Sequence, residues 1–512
     1  MNPSSSQGIA MDVYTLIFFY VLGAMVFILP SFKKGFSTTQ ILLLKISSTI
    51  PLAIGVYGLY ANGTLDIFGA VLAVSTIVSG SIISLYAYDY FRINNYSASA
   101  SILLDLLIIS LTMTYSSFNI LALAAFWTIS EVLAYALIKE GEEHSYEGSL
   151  TSSRGFIFTS TLTFEVTVFT MIITSVLLVA GTMSFQNLLK SFPDLATVKT
   201  MVPAYLIPLL IAGFVTKAAT VPLHFWLPSA HSAAPSPASA LLSGVMTPLG
   251  FLGLYRVVSL VDFGEYEPII AFYLIVSGIF SIIYGGLQAA WQRDGKKMLA
   301  YATISTNGFI SLIFALYLLY PGEYVFLALV TSIVMHTAYK TTLFAEIGLV
   351  EYAYGSRYIH GLHGVSTLMP LSSIGGLLAV FTMLGVPGTI GFTSKFLSVY
   401  AILYRDLDLV KTIILLGIAF YIATTISISI NYFKIYLKKG KGVLQPVHHI
   451  DTRLQVFILA LGTLNVLYNL TILISGFTTT ALVVSFTMIV PVLIAALFSI
   501  TVRGVSPSEH SG

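Results

Sequence analysis

The sequence predicts an all-α polytopic membrane protein with 14–15 transmembrane helices, two inverted five-helix repeats and discontinuous helices 7 and 12. Three observations predict it. The 512 residues are 56% hydrophobic and only 9% charged, with mean hydropathy +0.90, whereas a soluble domain carries about 25% charged residues. Apolar runs of about 20 residues, enough to cross the hydrocarbon as a helix, recur along the whole chain. Two of those runs are interrupted by helix breakers, each beside a lysine.

In chain order the runs lie near 11–30, 40–62, 67–88, 101–116, 118–138, 156–181, 201–228, 238–261, 268–290, 299–319, 324–349, 371–404, 411–437, 453–475 and 477–502. The last two touch and the fourth is short, so the count is fourteen or fifteen. Residues 1–10 are polar, and the run at 11–30 has no basic flank before it and no clear small-residue cleavage site after it. It reads as a first span and not as a cleaved secretory signal. Residues 1–100 then hold helices 1–3, 101–261 the first repeat (helices 4–8), 268–437 the second (helices 9–13), and 438–512 the C-terminal helices.

Lysine and arginine orient the chain. With the N-terminus outside, sixteen fall in inner loops and flanks, Lys45 among them, against Lys190, Lys199, Arg405 and Lys411 outside. The longest loops, 139–155 and 182–200, are under 20 residues. They exclude a nucleotide-binding module, and no P-loop or G-x-G-x-x-G unit stands in a strand–helix context. A net charge of +2 leaves no footprint for nucleic acid. The chain has no cysteine. Disulfides, all-cysteine iron–sulfur clusters and c-type haem attachment are therefore excluded. No helix pair carries histidines placed for a bis-histidine haem. The lack of cysteine and the 30 tyrosines fit a thermophilic archaeon or bacterium.

The seventh run reads IAGFVTKAATVPLHFWLP. Pro222 lacks a backbone donor and clashes with the carbonyl of Ala218, so the helix opens just after Lys217. The twelfth run, 371–404, would measure roughly 51 Å as one straight helix at ~1.5 Å per residue. It contains Gly385, Pro387, Gly388 and Gly391, followed by Lys395. Irregular backbone at membrane depth survives only inside protein or beside a wet cavity. Four spans separate the two broken ones. Spans 4–8 and 9–13 thus read as two five-helix repeats, and an odd number of spans per repeat inverts the second, as in transporters.

A charge in the membrane interior costs at least ~2.5–3.5 kcal/mol and marks a candidate site. Four cations are placed inside spans: Lys217, Lys340, Lys395 and, near an end, Arg256, which reads as snorkelling. Glu131 (FWTISEVLAYALI) and Glu165 (TLTFEVTVF) are acids in apolar contexts. A nearby carboxylate keeps a buried lysine charged, and moving that carboxylate changes the lysine's proton affinity. His336 and Lys340 are four apart on one helical face, and imidazole exchanges protons in the accessible pH range. His224 and His231 lie near the connection of spans 7 and 8 and can line the same path. Asp105 and Glu346 read as structural ion pairs.

The stretch KAATVPLHFWLPSAHSAAPSPASALLSGVM from Lys217, followed by GLYR at 253–256, resembles the antiporter-like subunit family. That family comprises the proton-translocating membrane subunits of respiratory complex I, the large subunits of Mrp-type cation/proton antiporters, and related subunits of membrane-bound hydrogenases. DGKKMLAYATISTNGFI (294–310), HTAYKTTLF (336–344) and GVPGTIGFTSKF (385–396) extend the resemblance over roughly 70–440. It implies about fourteen helices, two inverted repeats and a central polar axis. It also implies that Glu131 pairs with Lys217, that Lys340 and His336 form the span-11 relay, and that Lys395 stands at the exit to one side. One departure is plain. The family's span-8 lysine is replaced by Thr247, followed by Pro248. Water around Thr247 and His231 would have to carry the central link.

The expected function is a proton-translocating subunit of a multisubunit membrane oxidoreductase of complex I or hydrogenase type. No cofactor or metal is expected in this chain; iron–sulfur clusters, flavin or a metal centre would sit on partner subunits. The expected partners are other membrane-arm subunits, peripheral redox subunits and the lipid bilayer. The expected location is a prokaryotic cell membrane, with protons or sodium as the moving ion. The alternatives are a subunit of an Mrp-type sodium/proton antiporter and a degenerate scaffold that no longer pumps.

Overall fold

The computed structural model describes residues 13–32, 36–117, 120–144, 151–170, 200–201, 206–404, 406–437, 447–448 and 450–475. The first helices are α1 (Val13–Phe32), α2 (Thr38–Ala61), α3 (Ile67–Ile93), α4 (Ala98–Tyr115) and α5 (Ile120–His144). Helix α6 (Thr151–Phe156) passes through a π turn at Ile157–Thr161 and continues over 162–170. Next come α7 (Ile207–Lys217), α8 (Trp226–Ala233), and α9 (Ser236–Leu241), which runs through a second π turn, Leu242–Met246, towards α10 (Leu249–Leu260). The later helices are α11 (Glu267–Trp291), α12 (Gly295–Leu319), α13 (Glu323–Tyr354), the short α14 (Val365–Leu368), α15 (Pro370–Leu384), α16 (Ile390–Leu403), α17 (Leu409–Leu437) and α18 (Thr452–Ser475). A two-residue parallel ladder, Thr200–Met201 with Val261–Asp262, is the one sheet among the described residues.

Apart from α8 and the short α14, the helices fall on the first fourteen expected spans. The fifteenth, near 477–502, lies outside the described residues, as do Lys190 and Lys199. Ten of the described helices are long and apolar enough to cross a membrane. Helix α13 is the axis of the bundle. Every residue from 328 to 350 is buried, and the helix packs against α3, α9, α12, α15, α16 and α18. Its polar groups therefore face protein on all sides. Close helix approach needs small residues where bulk would intervene. At the α11–α12 crossing Gly278 and Gly308 meet, and a Cβ on Gly278 would lie 2.8 Å from the Gly308 carbonyl.

Two cations depart from expectation. Lys45, placed in an inner flank by the hydropathy reading, is 2% exposed within α2 and pairs with Asp105 of α4. The Ser84 hydroxyl donates to the other oxygen of Asp105 at 2.5 Å, and Ser31 joins the cluster. Arg256 does not snorkel. It donates to the carbonyl of Tyr115 at 2.9 Å and to the Ser117 hydroxyl at 2.7 Å, and it pairs with Asp66, the N-cap of α3, at 3.4 Å. Those acceptors hold the guanidinium against the ends of α3 and α4.

At the start of α17 the Asp408 carboxylate accepts the Lys411 backbone N–H at 2.8 Å and the Tyr320 hydroxyl at 2.6 Å. The Lys411 N–H, then the Tyr320 hydroxyl, hold the carboxyl down at about 2. A depressed carboxyl stabilises the fold above its unfolded value of about 3.9 and loses that contribution as pH falls towards the folded value. The stability difference between the native chain and Asp408→Asn should therefore be constant above about pH 4 and shrink towards about pH 2. Thermal unfolding of both proteins across that window checks it; a difference that does not change with pH would contradict the assignment.

Candidate functional site

The first cluster forms where α7 breaks. The helix ends at Lys217, and residues 218–225 are irregular before α8 begins at Trp226. Ala219 takes φ +51°, and the Val221–Pro222 peptide is cis. The backbone groups freed by the break are satisfied by neighbouring helices, as apolar surroundings demand. Asn307 of α12 donates to the Ala218 carbonyl at 2.5 Å. From α11, Ser281 accepts the Val221 N–H at 2.8 Å and Ser277 donates to the Val221 carbonyl at 2.6 Å.

Lys217 Nζ lies 2.6 Å from Glu131 Oε1 of α5, and both side chains are fully buried. The indole of Trp127 donates to the same carboxylate oxygen at 3.0 Å. The other oxygen accepts Thr161 at 3.3 Å and Ser160 at 3.5 Å, and Lys217 donates to Ser160 at 3.2 Å. Ser160 and Thr161 belong to the π turn of α6. A π turn inserts an extra residue, re-aims side chains, and often marks a functional site. Here it brings two hydroxyls to one carboxylate.

The second cluster follows from Pro248. Having no N–H, Pro248 cannot bond back along the helix. The Thr247 N–H bonds instead to Leu242 at 3.2 Å, closing the π turn. The Ser243 carbonyl accepts the Thr247 hydroxyl at 2.7 Å and His336 Nε2 at 3.0 Å. A carbonyl only accepts, so Nε2 carries the hydrogen and Nδ1 is the bare nitrogen. Nδ1 has no partner among the described residues. The Thr247 hydroxyl stands 3.4 Å from Nε2. Thr247 thus touches His336.

Lys340 is fully buried and donates to the Leu299 carbonyl at 2.6 Å. Among the described residues no carboxylate pairs with it. His231, also fully buried, stacks on Phe344 at 4.9 Å, and neither ring nitrogen has a partner among the described residues. It lies within electrostatic reach of Lys217, Lys296, His336 and Lys340.

Lys395 sits at the second break. Helix α15 ends at Gly385, whose φ of +86° favours glycine. The ammonium donates to the Met383 carbonyl at 2.7 Å, the Leu384 carbonyl at 2.9 Å and Thr425 of α17 at 3.3 Å. Cations are stabilised at helix C-termini, where carbonyls lack intrahelical donors. Tyrosine rings and hydroxyls lie between Lys340 and Lys395, and the Tyr339 ring centre is 5.1 Å from Lys340 Nζ. Tyr339 and Thr306 are 2.6 Å apart, Thr306 and Tyr421 3.3 Å, and the Tyr421 ring lies 5.3 Å from Lys395 Nζ. Reading the sequence missed these groups, because hydroxyl residues carry no periodic signal in apolar helices.

Among the remaining site residues, Glu165 is half-buried and accepts Thr128 at 2.6 Å, one turn beyond Thr161 on α6. His224 is half-buried against Tyr284, with ring centres 4.7 Å apart. Glu346 was expected in an ion pair. Instead it accepts the hydroxyls of Tyr432, at 3.3 Å, and Tyr436, and no cation pairs with it among the described residues. Phenols are neutral donors that tolerate burial better than a second charge.

The fold and this axis define a multi-pass membrane protein built around buried ionisable groups at two broken helices. Residues 117–421, more than half of the chain, match the family described as "NADH:quinone oxidoreductase/Mrp antiporter, TM". The chain belongs to that family, and the resemblance carried by its motifs is borne out. A Na(+)/H(+) antiporter subunit of Bacillus subtilis (strain 168) is 28% identical over 358 residues, 64% of this chain and 41% of that protein. A chain of the Mrp complex from Dietzia sp. DQ12-45-1b matches with TM-score 0.71 at 17% identity, covering 94% of this chain and 98% of that one. A chain of the membrane-bound sulfane sulfur reductase, an archaeal respiratory membrane complex, matches with TM-score 0.68 at 20% identity, covering 95% and 99%. At these identities the two structures show a shared fold. The matched region spans about a third to under half of the length of the curated relatives.

Proposed function

We propose that this chain is a proton-translocating, antiporter-like subunit of a multisubunit membrane oxidoreductase in a prokaryotic cell membrane, with its N-terminus outside. The observation that carries the reading is the line of buried groups running from Glu131–Lys217, past His231, His336 and Lys340, to Lys395. Electron transfer in partner subunits would shift charge near Glu131. Drawing that carboxylate from Lys217 removes the field that keeps the ammonium charged, and the proton moves on. His336 would take a proton at Nδ1 and release one from Nε2 towards Thr247. Water would bridge His231, whose nitrogens need partners in so apolar a place. The hydroxyls of Tyr339, Thr306 and Tyr421 would pass the charge to Lys395. The two breaks occupy matching places in spans 4–8 and 9–13, which supports the inverted-repeat reading.

The Bacillus relative and the Mrp-complex fold favour a second reading, a sodium/proton antiporter subunit. Against sodium, the carbonyls of Ala218, Val221, Met383 and Leu384 already hold protein donors. The test uses the native complex in proteoliposomes, with its subunits identified by mass spectrometry. Donor-driven proton uptake that falls at least about ten-fold in Lys395→Ala supports the proposal. Sodium exchange without an electron donor would turn it to the antiporter. Intact uptake in Lys395→Ala, with assembly lost when the whole chain is deleted, would make the chain a scaffold.

A further inference from the structure

Glu346 is a fully buried acid that the axis above does not use. Both phenols of Tyr432 and Tyr436 address its Oε2, while Oε1 has no partner among the described residues. Gly376 of α15 makes room for the group. A Cβ there would collide with Oε2 and with the Tyr436 hydroxyl. Helix α3 gives its Tyr86 hydroxyl to the Ala345 carbonyl at 2.9 Å. Towards the end of α13, Glu351 is 32% exposed and pairs with Lys296 and Arg357. Glu346 therefore stands inside the bundle, between the membrane interior and the lysine- and arginine-rich end.

Helix α17 joins this acid to Lys395. Tyr421, Thr425, Ser429, Tyr432 and Tyr436 recur at helical spacing on one stripe, and all five are buried. Residues three or four apart in a helix share a face. Tyr421 and Thr425 touch Lys395, and Tyr432 and Tyr436 touch Glu346. Between them the Ser429 hydroxyl is buried without a partner among the described residues, as is Ser373 one turn before Gly376 on the packed helix α15. Each step along the stripe rises about 4.5–6 Å, a gap that one or two waters bridge between hydroxyls.

We propose that Glu346 is a second proton-binding station, joined to Lys395 by the hydroxyl stripe of α17, through which the second broken helix takes up protons from the basic end of the bundle. This rests on the proton-translocation reading above. In the transfer the O–H bond of the Glu346 carboxyl breaks and an N–H bond forms on neutral Lys395, with the hydroxyls each accepting one proton and passing one on. Water at the basic end returns a proton to the carboxylate. Lys395 is then a junction, since Tyr421, whose ring it faces at 5.3 Å, also meets Thr306 at 3.3 Å.

The test compares Glu346→Gln, Ser429→Ala and Tyr436→Phe in the native complex, with Lys395→Ala as control. Donor-driven proton uptake should fall at least about ten-fold in Glu346→Gln and about two- to five-fold in the hydroxyl variants. Infrared difference spectra supply a readout independent of transport. A protonated-carboxyl C=O band should vanish in Glu346→Gln, shift in Tyr436→Phe, and change when Lys395 is replaced by Ala. If Lys395→Ala abolishes uptake while Glu346→Gln stays within twofold of native, this arm is wrong and the main axis stands. If Lys395→Ala leaves uptake intact, the translocation reading fails, and the band's response to Lys395 alone judges the coupling. Should Glu346→Gln fail to assemble, unchanged uptake in both hydroxyl variants overturns the proposal and loss in both supports it.

Discussion

Replacing Lys217 by Ala should stop ion translocation and destabilise the assembled chain by about 3–5 kcal/mol, the usual cost of orphaning one half of a buried ion pair. The arithmetic is local. Glu131 and Lys217 are both fully buried and 2.6 Å apart. With the ammonium gone, the carboxylate keeps Trp127, Ser160 and Thr161 as its donors among the described residues. Neutral donors offset part of its desolvation and no more. Replacing both charges separates structure from function. Glu131→Gln with Lys217→Met removes the burial cost at each partner and should restore most of the lost stability. It should not restore transport, because neither group can then exchange a proton. Thermal unfolding and proton uptake, measured on both variants, check this. A double variant as unstable as Lys217→Ala would mean that packing around Phe156 and Trp226, and not charge, fixes the site.

The spans and both breaks were legible because hydropathy and helix breakers act locally. Pro222 after Lys217, and the glycines and Pro387 before Lys395, announce open backbone without any knowledge of neighbours. What those openings bond to was not legible. Asn307, Ser277 and Ser281 lie on other helices, and their types recur in many apolar spans. Lys45 was misplaced because a lysine near a span end reads as solvated, and only the fold brings Asp105 to it. Arg256 looked free to reach water until Asp66 and the α4 carbonyls closed round it. Glu346 was given a cation because burial of an acid calls for a partner; that two tyrosines fill the role depends on how α13 crosses α17. The departure at Thr247 was visible in the chain. Its consequence was not, since the π turn that aims the Ser243 carbonyl at His336 emerges from Pro248 only in three dimensions.

Lys340→Met should have the opposite effect on stability and the same effect on transport. Lys340 is fully buried, and its ammonium finds one carbonyl and no carboxylate among the described residues. A group held this way adds desolvation cost without a matching attraction. Methionine has a similar length and suits apolar surroundings. The substitution leaves no orphan behind, because the Leu299 carbonyl still accepts the Thr303 hydroxyl at 2.9 Å. The variant should thus unfold at the same temperature as the native chain or higher. Proton uptake should fall about 100-fold, the range by which a positioned proton carrier accelerates transfer. Stability gained while function is lost marks a residue kept for what it does. Loss of both together would show that Lys340 holds α12 to α13 and carries no proton. Set beside Lys217→Ala, the pair of measurements distinguishes the two lysines by the sign of one number, since one ammonium has a carboxylate to hold and the other does not.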